Sequence, residues 1–187
     1  MAQSTYGGRP GEGIGDLSVL YGLETGLRAQ AIPAAVIRCA YLMSNWDAAL
    51  GPARERGELP TMYPAELRIP MVAPADIGRL AADLLVGEGG TDRPTYAEGP
   101  ERYSSVEAAV AFGQALGHDV APVVTPRDGL EPAFRGLGFS EAAARSYARM
   151  TAAGIDEGFE QPLRPWRGAV TIDAYVRDLV ERTSSMP

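Results

Sequence analysis

Apolar residues recur at helical spacing near the start of the chain. Leu17, Leu20, Leu23 and Leu27 share a face, and Asp16 stands where an N-cap would. Residues 32–39, IPAAVIRC, then read as a buried strand, so a helix, a turn and an apolar strand form half of a βαβ unit. Asn45 is placed to cap a short helix over residues 46–50, ended by Gly51-Pro52. Residues 54–63 are polar and turn-rich, and residues 66–72 read as extended, with Pro70 pointing to an edge strand or loop. Ile77, Leu80, Ala81, Leu84 and Leu85 predict an amphipathic helix closing near Gly87. A loop over residues 87–93 and a short strand over 94–98 follow. Ser104-Ser105-Val106-Glu107 is a capping box opening a helix that runs to Gly117, and residues 119–125 form another short strand. Two helices are expected around residues 130–137 and 140–153, and a last one over 172–180, with Ser140 and Thr171 as N-caps. Strands alternating with helices predict an α/β fold with a helical C-terminal portion.

Composition narrows the function classes. A chain of 187 residues is long enough for one compact core, and 45% of it is apolar, which argues against general disorder. Net charge is −7 and the cations are spread along the chain, so a phosphate backbone is repelled and no nucleic-acid partner is expected. No apolar run approaches the roughly 18 residues of a membrane span, and no secretory leader is evident, so the expectation is a soluble, cytoplasmic protein. Every cation is arginine, which excludes any mechanism that needs a lysine ammonium. Cys39 and His118 are each the only residue of their kind, which excludes an internal disulfide, a multi-ligand Cys/His metal site and a straightforward Ser–His or Cys–His arrangement. His118 reads as a surface turn residue and Cys39 as a small packed hydrophobe.

Gly7, Gly8, Gly11, Gly13 and Gly15 suggest a phosphate loop and fail its test. Their spacing does not give G-x-G-x-x-G, and residues 1–6 supply no buried strand ahead of them, so the stretch reads as a flexible loop.

Three ordered segments carry a family resemblance. AIPAAVIRCAYLMSNW, residues 31–46, resembles a strand and loop in which Arg-Pro ends the strand and Phe-Met-x-Asn follows. Arg38, Tyr41, Met43 and Asn45 match that pattern, while Cys39 replaces the proline and Leu42 the phenylalanine. IPMVAPADIGRLAADLL, residues 69–85, resembles a PMV–DIG segment opening a helix behind the sheet. EGPERYSSVEAAVAFGQALG, residues 98–117, resembles a Gly-Pro-x-x-Tyr-Ser lead into a helix ending at Leu-Gly. Ser4-Thr5-Tyr6-Gly7 is similar to the Ser-rich end of the preceding strand. Together these resemble the NmrA-like group of atypical short-chain dehydrogenase/reductase proteins, which bind NAD(P) on a Rossmann fold. The resemblance implies a partial Rossmann-like parallel sheet over residues 1–99, whose first strands and glycine-rich loop are missing, and a mainly helical substrate-side region over residues 100–187. It also implies that dinucleotide binding by this chain alone is weak or absent.

Ligands of open α/β sheets bind at the carboxyl ends of the strands, which selects the loop over residues 40–46. With the resemblance, Ser4, Tyr41, Met43 and Asn45 become candidate cofactor contacts, and Trp46, Met71, Phe134 and Met150 candidate pocket lining. On the alternative reading Met43 and Trp46 are core and Asn45 is only a cap, while Phe134, Phe139, Tyr147 and Met150 have the spacing of helix core positions. Tyr21 is followed four residues later by Thr25, and Leu20 falls where some family members have lysine, so the tyrosine–lysine chemistry of classical short-chain dehydrogenases is unavailable. Asp76 suits a helix N-terminus, and Asp128, Glu131, Asp156 and Glu157 read as solvated helix faces. Arg164-Pro165-Trp166-Arg167 reads as a surface loop anchored by Trp166, with phosphate or partner binding as the other reading. The functional expectation is an NAD(P)-binding, oxidoreductase-like protein acting on a small organic or quinone-like acceptor. The alternatives are a dinucleotide-sensing regulator working through protein contacts, or a fragment without independent activity that self-associates through an exposed sheet edge.

Overall fold

The computed structural model describes residues 1–87 and 93–184, so most of the expected loop over residues 87–93 lies outside the described residues. The chain runs through β1 (Ala2–Thr5), α1 (Asp16–Arg28), β2 (Val36–Cys39), β3 (Tyr41–Leu42), a 3-10 segment (Met43–Ala49), α2 (Leu50–Arg56), β4 (Glu58–Thr61) and β5 (Ile69–Val72). It continues through α3 (Pro74–Val86), β6 (Thr95–Glu98), β7 (Arg102–Tyr103), α4 (Ser105–Leu116), β8 (Ala121–Val124), α5 (Leu130–Gly136), α6 (Glu141–Glu157), β9 (Trp166–Arg167) and α7 (Ile172–Ser184).

The principal sheet has the order β1-β2-β6-β9, and every pair in it is parallel. β1 forms one edge; β9, from the far end of the sequence, forms the other. Parallel strands need crossovers, and α1 supplies the one between β1 and β2. β3 pairs in parallel with β5, β5 antiparallel with β7, and β4 in parallel with β8. All four residues of β2 and of β5 are buried, as expected for strands covered on both faces.

Among the described residues, the buried apolar side chains gather into two clusters. The larger gathers Met43, Trp46, Leu59, Met71 and Phe112 with Ile172, Val176 and Leu179 of α7, so it mixes residues from both sides of position 100. α4 packs on α7, and Ala108, Ala109 and Phe112 of α4 share the larger cluster with the buried residues of α7. Each large apolar side chain buried in this way contributes about 1.5–3 kcal/mol. The smaller cluster joins Tyr6, Ile37, Cys39 and Ala97 to Ile77 and Leu80 of α3. Among the described residues, no helix is long and apolar enough to cross a membrane, and no group of three or more His, Cys, Asp or Glu side chains could hold a metal.

The expected capping box is present, with Ser104 and Glu107 bonding reciprocally, and Gly117 ends α4 in the left-handed conformation. Ser140 and Thr171 cap α6 and α7. His118 is exposed in the turn and Cys39 is buried. Several boundaries differ from those read in the sequence. Asp16 is the first residue of α1 and not its cap; Gly15 precedes the helix, and the Asp16 carboxylate instead accepts a hydrogen bond from Ser146 of α6. β2 starts at Val36, because its partner β1 begins opposite that residue and Pro33 has no N–H to offer; Ile32 is 76% exposed. Asn45 caps nothing, since the 3-10 segment already begins at Met43, and Gly51-Pro52 opens α2 rather than ending a helix. The polar stretch over residues 54–63 holds the end of α2 and all of β4, with Gly57 at φ 66 between them and Leu59 and Thr61 turned inward. β5 lies between β3 and β7, but it bonds β7 at residues 69–70 and β3 at 71–72, so at Pro70 it is paired on one side only and the missing N–H falls outside the β3 ladder. Trp166-Arg167 is strand β9, not a loop, and Trp166 packs on the smaller cluster.

Candidate functional site

The parallel ladder continues just past the strand ends. Tyr6 donates its N–H to the Cys39 carbonyl (3.1 Å), Ala40 to Ala97 (2.9 Å) and Gly168 to Glu98 (2.9 Å). Tyr6, Ala40, Glu98 and Gly168 therefore line up along the carboxyl rim of the sheet, where ligands of this architecture bind.

On one side of that rim lies a cleft of about 250 Å³ lined by Glu98, Arg102, Gln161, Pro162 and Arg167. Glu98 is 1% exposed and sits between two guanidinium groups, at 2.9 Å from Arg167 and 3.3 Å from Arg102. Arg167 also donates to the Gly99 carbonyl (3.1 Å) and Arg102 to the Glu160 carbonyl (2.7 Å), which fixes both forks. Two guanidiniums against one carboxylate leave one net positive charge on the wall. Behind it, the Tyr6 ring packs edge-on against Tyr96, with ring centres 5.2 Å apart. The Tyr6 hydroxyl is buried without a hydrogen-bond partner. Burial raises its pKa far above the ordinary tyrosine value and the Glu98 carboxylate adds to the rise, against the pull of Arg102 and Arg167. It is a donor throughout the physiological range.

The loop after β2 forms the other side. Tyr41 is partly buried, its ring 5.9 Å from both Trp46 and Tyr63, and its phenol is hydrogen-bonded to Asn45. Burial raises the Tyr41 pKa, so this phenol is also neutral. Asn45 is exposed, Trp46 is 3% exposed with its indole N–H unpaired, and Met43 and Met71 are fully enclosed in the larger cluster. Tyr41, Met43, Asn45 and Trp46 thus form one neighbourhood. Phe134 is elsewhere, in an aromatic cluster with Phe139 and Tyr147 between α5 and α6, and Met150 is partly buried on α6. Ser4 is inside the molecule and donates to Glu24 (2.6 Å).

The residues that sequence reasoning missed centre on that Glu24. Arg38, inside β2, donates to both Glu24 oxygens (2.8 and 2.9 Å), to the Gly8 carbonyl (2.6 Å) and to the Tyr96 hydroxyl (2.6 Å). Desolvation would raise the Glu24 pKa, but the hydrogen bonds from Arg38 and Ser4 outweigh it and hold the carboxyl below its usual range. The signal was available: Glu24 lies seven residues after Leu17 on the inward face of α1, and an inward acid needs a buried cation. Tyr6, Glu98 and Arg102 had no such mark, because their meeting depends on sheet order.

The glycine-rich connection between β1 and α1 offers no pyrophosphate cradle. Arg9 pairs with Glu157 across it (2.6 Å), and the Gly7 N–H is taken by Glu160 (2.9 Å). The N-terminus of α1 carries the Asp16 carboxylate, and a Cβ at Gly15 would collide with the Ser146 carbonyl. A phosphate would meet acids and filled space there. The residues present therefore do not fit the pyrophosphate half of a dinucleotide.

Solved structures share this fold. An NADPH-dependent quinone oxidoreductase from Escherichia coli superposes with a TM-score of 0.70 at 15% identity, covering 95% of this chain and 66% of that one. The fold is Rossmann-like α/β. A leucoanthocyanidin reductase–NADPH complex from Vitis vinifera gives 0.69 at 14% identity, with 96% of this chain and 64% of that one covered. The Citrobacter sp. triphenylmethane reductase complexed with NADP(H) gives 0.65 at 16% identity, with 97% and 64% covered. The chain thus spans just under two thirds of each of these structures, and at such identities the likeness is one of fold. The sequence itself matches no protein-family model and no curated relative.

Proposed function

We propose that this chain is the substrate-side unit of an NAD(P)-linked oxidoreductase of the NmrA-like type, acting on a small organic or quinone-like acceptor. The observation that carries the reading is the carboxyl rim. Tyr6 follows β1, and Tyr41 and Asn45 follow β2, so two neutral phenols and an amide stand at strand ends of a fold shared with NADPH-dependent reductases. Such a rim positions and shields a reacting molecule, and the chain has no tyrosine–lysine pair to supply a proton by the classical route. Ser4, Tyr41, Met43 and Asn45 remain the proposed cofactor-side residues, with Ser4 and Met43 acting from beneath the surface. Trp46 and Met71 back the same region, and Phe134 and Met150 would line a pocket only toward α5 and α6.

The filled glycine loop sets the expected affinity: the chain alone binds dinucleotide weakly or not at all. The test is an NADPH titration followed by backbone amide resonances. The reading expects weak, unsaturated shifts confined to the rim around Tyr6, residues 40–46 and Glu98, and slow NADPH consumption with a benzoquinone above the protein-free rate. Shifts at millimolar NADPH that spare the rim and fall elsewhere would refute the dinucleotide link for these residues. Saturation at micromolar NADPH would refute the missing cradle.

A further inference from the structure

Glu160 reaches 153 residues back along the chain to the carboxyl end of β1. Its Oε2 accepts the Gly7 N–H (2.9 Å), the amide that follows the last β1–β2 ladder bond at Tyr6. Its Oε1 lies 3.7 Å from Arg38 Nη1. That arm of the guanidinium is the one Glu24 leaves open, since Glu24 takes Nε and Nη2 at 2.8 and 2.9 Å. Nη1 otherwise serves only the uncharged Tyr96 hydroxyl (2.6 Å). A backbone N–H and a guanidinium arm therefore meet one carboxylate at the end of the sheet where ligands of open α/β folds bind.

The carboxylate is held there imperfectly. The contact to Gly7 is a good hydrogen bond, but 3.7 Å to Arg38 is too long for one. Glu160 cannot shift to improve it, because its main chain is fixed: Arg102 donates to its carbonyl (2.7 Å), and the neighbouring Phe159 ring packs on Tyr63. A carboxylate free of that tether can close on both donors at once, and charge-assisted bonds of this kind are the strong ones. The Glu160 side chain is 39% exposed, so rotation about its own bonds clears the place without moving the backbone. Charge points the same way. Arg9, Arg28 and Arg38 are matched in this network by Glu157, Glu24 and Glu160. With Glu160 turned away one positive charge is unmatched, and one carboxylate restores the balance.

We propose that Glu160 is the resident occupant of a carboxylate-binding site at the carboxyl end of β1, formed by the Gly7 amide and Arg38, and that a small organic ligand bearing one carboxylate enters by displacing it. The assignment goes beyond the oxidoreductase reading and does not need the dinucleotide.

The experiment is a titration of the whole natural chain and of Glu160→Ala with acetate, acetamide and inorganic phosphate. It is run at constant ionic strength without NADPH and read by the Gly7 amide and Arg38 Nε–H resonances. Acetate replaces the atoms that Glu160→Ala removes, so it should shift both resonances. If Glu160 is seated about nine-tenths of the time, the variant binds acetate about tenfold tighter than the natural chain. The natural chain should show the same shifts at the correspondingly higher concentration. Acetamide, matched in size but uncharged, should shift neither resonance, and phosphate should bind less tightly than acetate. Glu160→Gln, which keeps the length of the side chain, guards against a fold lost in the alanine variant and should show a smaller gain. Glu157→Gln, which removes the neighbouring Arg9 pair, should show none. The proposal is overturned if acetate leaves Gly7 unmoved in both Glu160 variants, if Glu157→Gln gains as much, or if acetamide or phosphate binds as well as acetate. A Gly7 shift in the variants with none in the natural chain at about a hundredfold the concentration overturns the displacement. Because no dinucleotide is present, these failures are distinguishable from failure of the oxidoreductase reading.

Discussion

Replacing Glu24 by glutamine tests whether the network beneath the rim is held by charge. Glu24 is fully buried and receives Ser4, Arg38 and Arg28, while the Arg38 side chain is only 9% exposed. The amide keeps the shape and part of the hydrogen bonding, but it leaves the Arg38 guanidinium with only the more distant, partly exposed Glu160 carboxylate (3.7 Å) as counter-charge. Breaking a buried pair from one side costs about 3–5 kcal/mol, and the retained hydrogen bonds place Glu24→Gln near the lower end. At an m-value of about 2 kcal/mol per molar urea, that lowers the unfolding midpoint by about 1.5 M. Arg28, 42% exposed, is the control: Arg28→Gln should cost less than about 1 kcal/mol, since solvent screens it. The pair Glu24→Gln with Arg38→Met should recover much of the loss, because both charges then leave together.

The same carboxylate sets a pH dependence. Its folded pKa lies below its unfolded value, so the folded state holds fewer protons through that interval. The stability it contributes is complete above the unfolded pKa of about 4.3 and disappears as pH falls through the lower folded value. The difference between the natural chain and Glu24→Gln should therefore be widest at neutral pH and narrow below about pH 4. A Glu24→Gln melt within about 1 kcal/mol of the natural chain at neutral pH would refute the reasoning, because a guanidinium so placed would then tolerate isolation.

Three other outcomes follow from single side chains. Met43→Ala, at a position with no exposure, should cost about 2–5 kcal/mol in urea unfolding, whereas a methionine open to a pocket would cost far less. Burial pushes the Cys39 thiol up to about 12, so it should resist a disulfide reagent at pH 8 in the native protein and react fully in denaturant. Ser104→Ala removes the cap that accepts from the Glu107 N–H (3.2 Å) and should lower stability by about 1 kcal/mol, with Ser104→Thr retaining most of it.

Local codes were legible and long-range ones were not. The capping box at Ser104, the caps at Ser140 and Thr171, and the amphipathic face of α3 each depend on residues a few positions apart, and the sequence displays them directly. β2 was visible as an apolar run, but its start was set by where β1 begins to pair, which no local pattern states. β4 was hidden because its two inward positions are Leu59 and Thr61, and a buried threonine looks polar; its hydroxyl is satisfied by Ser105 at 2.8 Å. Tyr41 and Asn45 could be placed at a strand end from sequence alone. That Phe134 joins Phe139 and Tyr147 could not, because it depends on how α5 and α6 dock.

The cleft shows why the rim was the hardest part to foresee. Glu98 ends β6, Arg102 opens β7, and Arg167 ends β9, which reaches the sheet only after α4, α5 and α6 have been laid down. β9 is two residues long and could not hold its place by ladder bonds alone. It is secured from behind: Val170 donates to the Asp76 carboxylate (3.0 Å), and Gly168 leaves room for that carboxylate where a Cβ would collide. Asp76 thus acts on the rim from the first turn of α3, and its position there is favoured by the helix dipole. The arginine that completes the cleft is therefore aimed by an aspartate distant in sequence. A site assembled through such relays leaves no spaced motif, and its chemistry appears only when the strand order is known.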